Sequence, residues 1–288
     1  MNNANIGFLF QREYYKGLTT AILNDSSKNK YLQNAFFKNK NEDIIRASKR
    51  KIESENPIQG DDIFTLPLKT IYPGLVTGIG MVHESGMQGE GKLGMAFDHT
   101  TGLPYIPGSS VKGLLRSMFP IVSSQKKNLD KKTEMLVDEK RQYVFEILKK
   151  REGLHSIEPK DLDELAHLVF EGQLADKSYL PMYERDVFFD AQIEGDYAEK
   201  GFLGFDYITP HVDPLKNPKP IKFLKLLPEV NFVFCFKLHN SKLTSGRGEI
   251  SPADKLALFK EILTTVGIGA KTNVGYGQLK DTLSQKEI

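Results

Sequence analysis

Two stretches of the chain set cationic side chains in glycine-rich backbone: Gly102-Leu-Pro-Tyr-Ile-Pro-Gly-Ser-Ser-Val-Lys-Gly-Leu-Leu-Arg116 and Gly267-Ile-Gly-Ala-Lys-Thr-Asn-Val-Gly-Tyr-Gly277. Glycine lets a partner approach main-chain amides, and lysine or arginine supplies counter-charge, a pairing suited to a polyanion. In the first stretch a helix is predicted from Ser109 or Ser110, where a hydroxyl can cap free amides. Lys112 and Arg116, four residues apart, share one face of it, with Val111, Leu114, Leu115 and Met118 on the buried side. Gly108, Ser109 and Ser110 would present amides and the positive dipole end to an anion. An ordinary capped helix with two exposed cations has the same signature. In the second stretch Lys271 and Thr272 could meet phosphate, Asn273 could supply a hydrogen bond and Tyr276 a stacking face, with Gly269 allowing close approach.

Neither stretch fits a nucleotide loop. A phosphate-binding P-loop needs glycine directly before Lys-Thr, where Ala270 stands, and a strand before with a helix after, the reverse of the order here. The dinucleotide fingerprint fails at Thr272, which occupies the place of its third glycine. Among the six histidines, His83 beside Glu84 and His99 beside Asp98 are the best candidates for acid–base chemistry, because both lie in a glycine-rich loop. No pair has His-x-x-x-His spacing, and the lone Cys235 excludes a cysteine zinc cluster or an intramolecular disulfide. Asp206 reads as a turn cap, and His211 as a residue that orders its loop or touches RNA.

The elements that must position these residues follow from periodicity. Residues 70–82 read as a strand, with Leu75, Thr77, Ile79 and Met81 on one face and Gly78 and Gly80 on the other. Charge-balanced helices are expected through 121–172, with stripes at Leu136, Val144, Ile147, Leu148 and at Leu162, Leu165, Leu168, Val169. Strands are expected at Val187–Ile193, Leu203–Ile208 and Val230–Leu238, the last with Phe232, Phe234 and Phe236 at period two. The five prolines between Pro210 and Pro228 predict a long irregular loop. A helix starts at Ser251, with Pro252 in its first turn and Gly267 at its end, and Val274–Leu279 reads as a final strand. Strand, helix, strands, helix, strand is the order of a βαββαβ ferredoxin-like unit, an α+β fold with one antiparallel sheet. The expected organisation is a basic N-terminal extension, 1–66, then one domain, 67–288, carrying a helical insertion at 121–172.

Bulk properties agree with a globular chain. Of 288 residues 40% are hydrophobic and 26% charged, enough for a sizeable core. A net charge of +2 does not by itself announce nucleic-acid binding, so any basic surface comes from clustering. One cluster is plain: from Ser26 to Lys51 eight Lys/Arg face only Glu42 and Asp43. That stretch reads equally as a solvated extension or as an RNA-contacting arm. No apolar run could span a bilayer, and no secretory leader is expected, which points to the cytoplasm.

Taken together the motifs resemble a known family. Pro104 to Arg116 resembles the first helix of the RAMP proteins of CRISPR systems, and Gly267 to Gly277 their C-terminal glycine-rich loop. Val187-Phe-Phe-Asp-Ala191 and Phe205-Asp-Tyr-Ile-Thr-Pro-His211 are similar to the sixth-subunit group of Cmr-type, type III-B effectors. The resemblance covers roughly residues 70–280, leaving 1–66 outside. It implies a non-catalytic, RNA-binding structural subunit with an RRM-like fold and no cofactor or metal. Its partners would be guide CRISPR RNA, held near the 3′ end, target RNA, and other Cmr-type RAMP subunits, namely the backbone subunit and a second head subunit. By that resemblance Lys112, Arg116, Lys271 and Asn273 contact phosphate or sugar; with the residues read from the motifs, the expected RNA-binding set is Gly108, Ser109, Ser110, Lys112, Arg116, His211, Gly269, Lys271, Thr272, Asn273 and Tyr276. Two departures stand out: the aromatic sheet signature of ordinary RRM domains is absent, and Glu171 separates Phe170 from Gly172. A metal-independent endoribonuclease that processes CRISPR repeat RNA, and a pure protein–protein scaffold, are the alternatives.

Overall fold

A computed structural model describes residues 4–23, 27–53, 60–77, 83, 85–92, 94–119, 130–209 and 220–282. Its centre is an antiparallel sheet. Strand β1 (Lys51–Ile52) begins it, followed by β2 (Ile63–Thr70), β3 (Tyr105–Ile106), β4 (Val187–Phe188) and β5 (Ala191–Asp196). Then come β6 (Leu203–Ile208), β7 (Ile221–Leu226), β8 (Asn231–Lys237), β9 (Ser241–Lys242), β10 (Glu249–Ile250) and β11 (Leu279–Asp281). The main sheet runs β1-β5-β8-β2-β11, with β3 added to β5 and β4 to β8; β6–β7 and β9–β10 form separate two-stranded ribbons.

Period two makes the centre of the sheet. Phe232, Phe234 and Phe236 of β8 turn inward, and the register sets them opposite Leu68, Leu66 and Phe64 of β2. The first central strand therefore spans 63–70, not 70–82. The alternation Phe64, Leu66, Leu68, Thr70 begins earlier than expected, and past Thr70 the chain turns and keeps only an isolated bridge from Leu75 to Leu226. Residues 78–82, where the expected alternating glycines fall, lie outside the described residues.

Two helices cover one face of this sheet: α4 (Gly108–Ser117) and α7 (Pro252–Val266). All three signals read for α7 are realised. Ser251 and Asp254 form a reciprocal capping box, Pro252 opens the first turn, and Gly267 closes the helix. Leu258, Phe259, Ile262 and Leu263 fill the core from its buried side. Lys255 is buried with them at 2% exposure. It donates to the equally buried Asp186 at 2.5 Å and to the carbonyl of His239 at 2.7 Å.

Between α4 and β4 in sequence come α5 (Lys131–Lys149) and α6 (Asp161–Glu171), which pack beside α7 and α4. Arg151 pairs with Asp254 at 2.8 Å, and Arg247 grips Asp161 through two bonds of 2.6 and 2.8 Å. The first 66 residues also enter the core. Helices α1 (Ile6–Gln11), α2 (Thr20–Leu23) and α3 (Ser27–Ala47) come from this region, and Ile6, Phe10, Tyr14, Phe37 and Ile44 are buried in the same apolar cluster as the sheet. Its last residues open β2.

Two other expectations change. The segment before Pro228 is not wholly irregular, because β7 pairs along its full length with β6, Leu203 opposite Leu226 through Ile208 opposite Ile221. The expected strand 274–279 is instead a single 3-10 turn, Thr272–Val274, and β11 starts at Leu279; Gly275 and Gly277, at φ +93° and +78°, cannot continue an extended strand. Among the described residues no helix is long and apolar enough to cross a membrane.

Candidate nucleic-acid interface

Helix α4 shows three faces. Val111 and Leu115 enter the core; Ser110 and Leu114 turn toward the glycine-rich loop; Lys112 and Arg116 turn toward β4 and α6. No serine caps the helix. Pro107 precedes it, and the amide of Gly108 donates to the carboxylate of Asp190 at 2.7 Å. The positive end of the helix is thus already met by an acidic side chain of the protein itself. The expectation that this end attracts an external anion does not hold as stated, because Asp190 occupies it. A signal for this lay in the Val187-Phe-Phe-Asp-Ala191 segment, but the pairing spans more than eighty residues and spacing does not reveal it.

The two α4 cations differ in freedom. The ammonium of Lys112 lies 5.8 Å from the ring centre of Phe188, with no ion pair among the described residues. Arg116 donates to Glu171 at 3.1 Å and to the carbonyl of Phe119 at 2.5 Å, above the ring of Phe170. Glu171 also accepts from His167 at 2.9 Å. Burial pushes the Glu171 carboxyl up, yet the bonds from His167 and Arg116 outweigh it and hold the group below its ordinary value. The residue that interrupts Phe-Gly here is therefore the partner of Arg116, and Gly172 forms the left-handed end of α6.

In the glycine-rich loop the close partner is the protein's own backbone. Gly269 (φ +100°) and Gly277 (φ +78°) adopt conformations that L side chains avoid. A Cβ on Gly269 would overlap the carbonyl oxygen of Val76, and one on Gly277 that of Ile268. Hydrogen bonds fix the approach: Ala270 N to Val76 O at 2.8 Å, Gly277 N to Gly74 O at 2.8 Å and Ile268 N to Gly277 O at 2.9 Å.

The loop's side chains then divide. Lys271, itself left-handed at φ +62°, holds its ammonium 5.4 Å from the ring centre of Phe223. Thr272 is half-buried and Asn273 exposed at the tip. Tyr276 is only 9% exposed; its ring packs edge-on against Phe223 at 5.7 Å, and its hydroxyl donates to Asp206 at 2.7 Å. Burial first, and then the Asp206 carboxylate, raise the Tyr276 hydroxyl well above its usual value. In this arrangement Tyr276 has no free face for a base; it positions the loop against the β6–β7 ribbon. Asp206 is no turn cap: it sits within β6 and also accepts from Lys225 at 2.6 Å.

Both motif stretches meet in one groove of about 460 Å³, walled by Thr77, Ile106, Ser110, Leu114, Gly269 and Thr272 among others. Every lining side chain is uncharged. Lys112 and Lys271 are not in its walls; each stands on its own segment over an aromatic ring. Gly108 and Ser109 lie at the start of α4, and His211 falls outside the described residues.

The candidate acid–base histidines part company. His83 is 2% exposed and packs against the rings of Phe10 at 4.3 Å and Tyr14 at 4.5 Å, with Nδ1 on the carbonyl of Gly91 at 3.0 Å. Burial lowers its pKa and keeps the neutral ring in the core. His99 lies on an exposed turn that Asp98 closes by accepting from the amides of Thr100 and Thr101 at 3.1 and 2.7 Å. No cluster of three or more His, Cys, Asp or Glu able to hold a metal occurs among the described residues.

Known proteins share parts of this chain. The RAMP superfamily matches residues 67–280. The CRISPR system Cmr subunit Cmr6 of Pyrococcus furiosus is 25% identical over 215 residues, which is 62% of this chain and 58% of that protein's length. A chain from the cryo-EM structure of the Type III-B Cmr-beta bound to cognate target RNA aligns over 90% of this chain and 66% of its own, at 19% identity and a TM-score of 0.45. The crystal structure of Cmr6 from Pyrococcus furiosus aligns over 77% of this chain and 99% of its own, at 22% identity and a TM-score of 0.42.

Proposed function

The chain belongs to the RAMP superfamily, and from that premise we propose that it is a non-catalytic RNA-binding subunit of a type III-B CRISPR ribonucleoprotein effector. It holds the 3′ part of the guide RNA and packs on neighbouring Cmr-type RAMP subunits. The observation that carries the reading is the convergence of the two matched stretches on one uncharged groove, each stretch also carrying a lysine outside the groove walls. The relative named as a Cmr subunit of a CRISPR system supports the choice of assembly. The strand order β5-β8-β2-β11, with α4 and α7 between its strands in sequence, supports the ferredoxin-like assignment.

The chemistry is recognition without reaction. Small residues and main chain in the groove admit a sugar–phosphate backbone, while Lys112 and Lys271, on the same two segments, supply charge to phosphates that follow α4 and the loop. Each ammonium rests on an aromatic face, a contact of about 0.5–1 kcal/mol at an exposed site that a phosphate can replace. Ser110, Thr272 and Asn273 are placed for sugar or phosphate hydrogen bonds. Arg116, tied to Glu171, orients α4 against α6 rather than reaching outward. The core position of His83 argues against its use as a nuclease base.

Filter binding of single-stranded guide-like RNA at low salt tests this site. Lys112→Ala with Lys271→Ala should weaken binding and reduce the slope of log affinity against log salt by about 1.4. Unchanged affinity and slope would refute the groove. In parallel, affinity purification of the tagged protein should recover short repeat-derived RNAs within a multi-subunit assembly; recovery of the protein alone would refute the effector-subunit reading.

A further inference from the structure

A second surface has the composition expected for single-stranded nucleic acid, and it lies away from both motif stretches. Helix α3 buries Phe37, Asn41, Ile44 and Ala47 and leaves Tyr31, Lys38 and Arg46 exposed, with Lys49 exposed just past its end. Beside it runs one face of the β6–β7 ribbon, carrying Phe205, Tyr207 and Lys222. Two hollows of about 470 and 540 Å³ lie between them and share Lys38 and Lys222 in their walls, so they join into one track. From Tyr31 to Ala47 the helix rises about 24 Å, and Lys49 follows just past its end.

Along this track cations and aromatics alternate. Tyr31 is 76% and Tyr207 60% exposed. The ammonium of Lys222 lies 5.1 Å from the ring centre of Phe205 and 5.6 Å from that of Tyr207. The acids are few: Glu42 stands 3.9 Å from Lys38, and Asp43 pairs with Arg46 at 3.1 Å. Lys49 and Lys222 have no carboxylate partner among the described residues. Two exposed rings flanked by lysines at a concave surface form a stacking platform beside a phosphate track. A protein partner would favour an apolar centre depleted of lysine, which this surface lacks.

We propose that this α3–ribbon track is a second RNA-binding site, taking single-stranded RNA by stacking bases on Tyr31 and Tyr207 and neutralising phosphates with Lys38, Arg46, Lys49 and Lys222. It rests on the reading of the chain as an RNA-binding subunit and extends it to a surface shared by α3, N-terminal to the matched residues 67–280, and the β6–β7 ribbon within them. Binding here is sequence-tolerant, because every base offers a π-face.

The test uses the full chain and fluorescein-labelled oligouridine long enough to cover both surfaces, read by anisotropy at low salt. Tyr31→Ala with Tyr207→Ala should weaken binding at least about tenfold, while Tyr31→Phe with Tyr207→Phe retains it, since the rings rather than the hydroxyls stack. Lys49→Ala with Lys222→Ala should lower the salt slope by about 1.4. Photocrosslinking of 4-thiouridine RNA to the unaltered protein, with the attached peptides identified, should mark the segments bearing Tyr31 and Tyr207 without relying on any variant. If the groove variant weakens binding while both track variants bind as well as the parent and no track peptide crosslinks, the track proposal fails and the groove reading stands. If the parent binds no RNA, both fail together. Track variants that keep RNA affinity but lose association with a neighbouring subunit would overturn the proposal in favour of a protein-docking surface.

Discussion

The groove between α4 and the glycine-rich loop and the track along α3 are opposite ways of making a surface. The groove is built from main chain: its glycines sit where the loop presses on residues 74–76, and its walls are uncharged. The track is built from side chains that leave a regular helix and ribbon, with lysines and tyrosines standing in solvent. In the groove the conspicuous residues are architectural first. In the track the exposed groups engage only in surface ion pairs and ring contacts among the described residues. A glycine-rich motif thus marks where backbones must touch, and the touching partner here is the protein itself.

Substitutions separate the two. The largest effect is expected at Gly277→Ala, where a left-handed conformation and an overlap with the Ile268 carbonyl combine; a loss of about 3–5 kcal/mol should appear in chemical denaturation. A near-neutral result would break the comparison, since the loop would then tolerate a side chain. Next comes Asp206→Asn. Burial opposes the charge of Asp206, but the bonds from Lys225 and Tyr276 hold its pKa below the unfolded value. Its contribution is therefore full above the unfolded pKa, near 4, and is lost as pH falls through the folded value. Thermal melts of the parent should drop on acidification below about pH 4 more steeply than those of Asp206→Asn.

Smaller effects sharpen the contrast. At Gly113, within α4, a Cβ would meet no atom within 4 Å, so Gly113→Ala should stabilise the free protein by about 0.5–1 kcal/mol. Weaker RNA binding by that more stable variant would mean that a partner lies close on α4. Tyr31→Ala, in the track, should change stability by less than about 0.5 kcal/mol while weakening RNA binding.

Legibility follows locality. Helix α7 is readable to its ends because its capping box, proline and terminal glycine are all short-range signals. The inward phenylalanines of β8 are readable from period two. Features set by distant contacts are not. Asp190 reaches Gly108 from beyond α5 and α6, and Tyr276 is received by Phe223 and Asp206 of the ribbon. Strand β2 escapes a reading by pattern because Pro67 stands in the middle of its alternation, and a proline argues against a central strand. The basic cluster at 26–51 is visible as charge; which of its residues point outward follows from the burial of Phe37, Ile44 and Ala47.

The β6–β7 ribbon joins these two surfaces back to back. Phe205, Tyr207 and Lys222 look toward α3, while Asp206, Phe223 and Lys225 look toward Tyr276 and Lys271. A slip of one residue in β6 would exchange the two sets, sending a carboxylate into the lysine track and a tyrosine ring into the loop's aspartate socket. Each surface therefore polices the alignment of the other. An insertion or deletion of a single residue in this short ribbon would cost the protein both surfaces at once, whereas a pair of residues, added or removed together, preserves which side each neighbour faces.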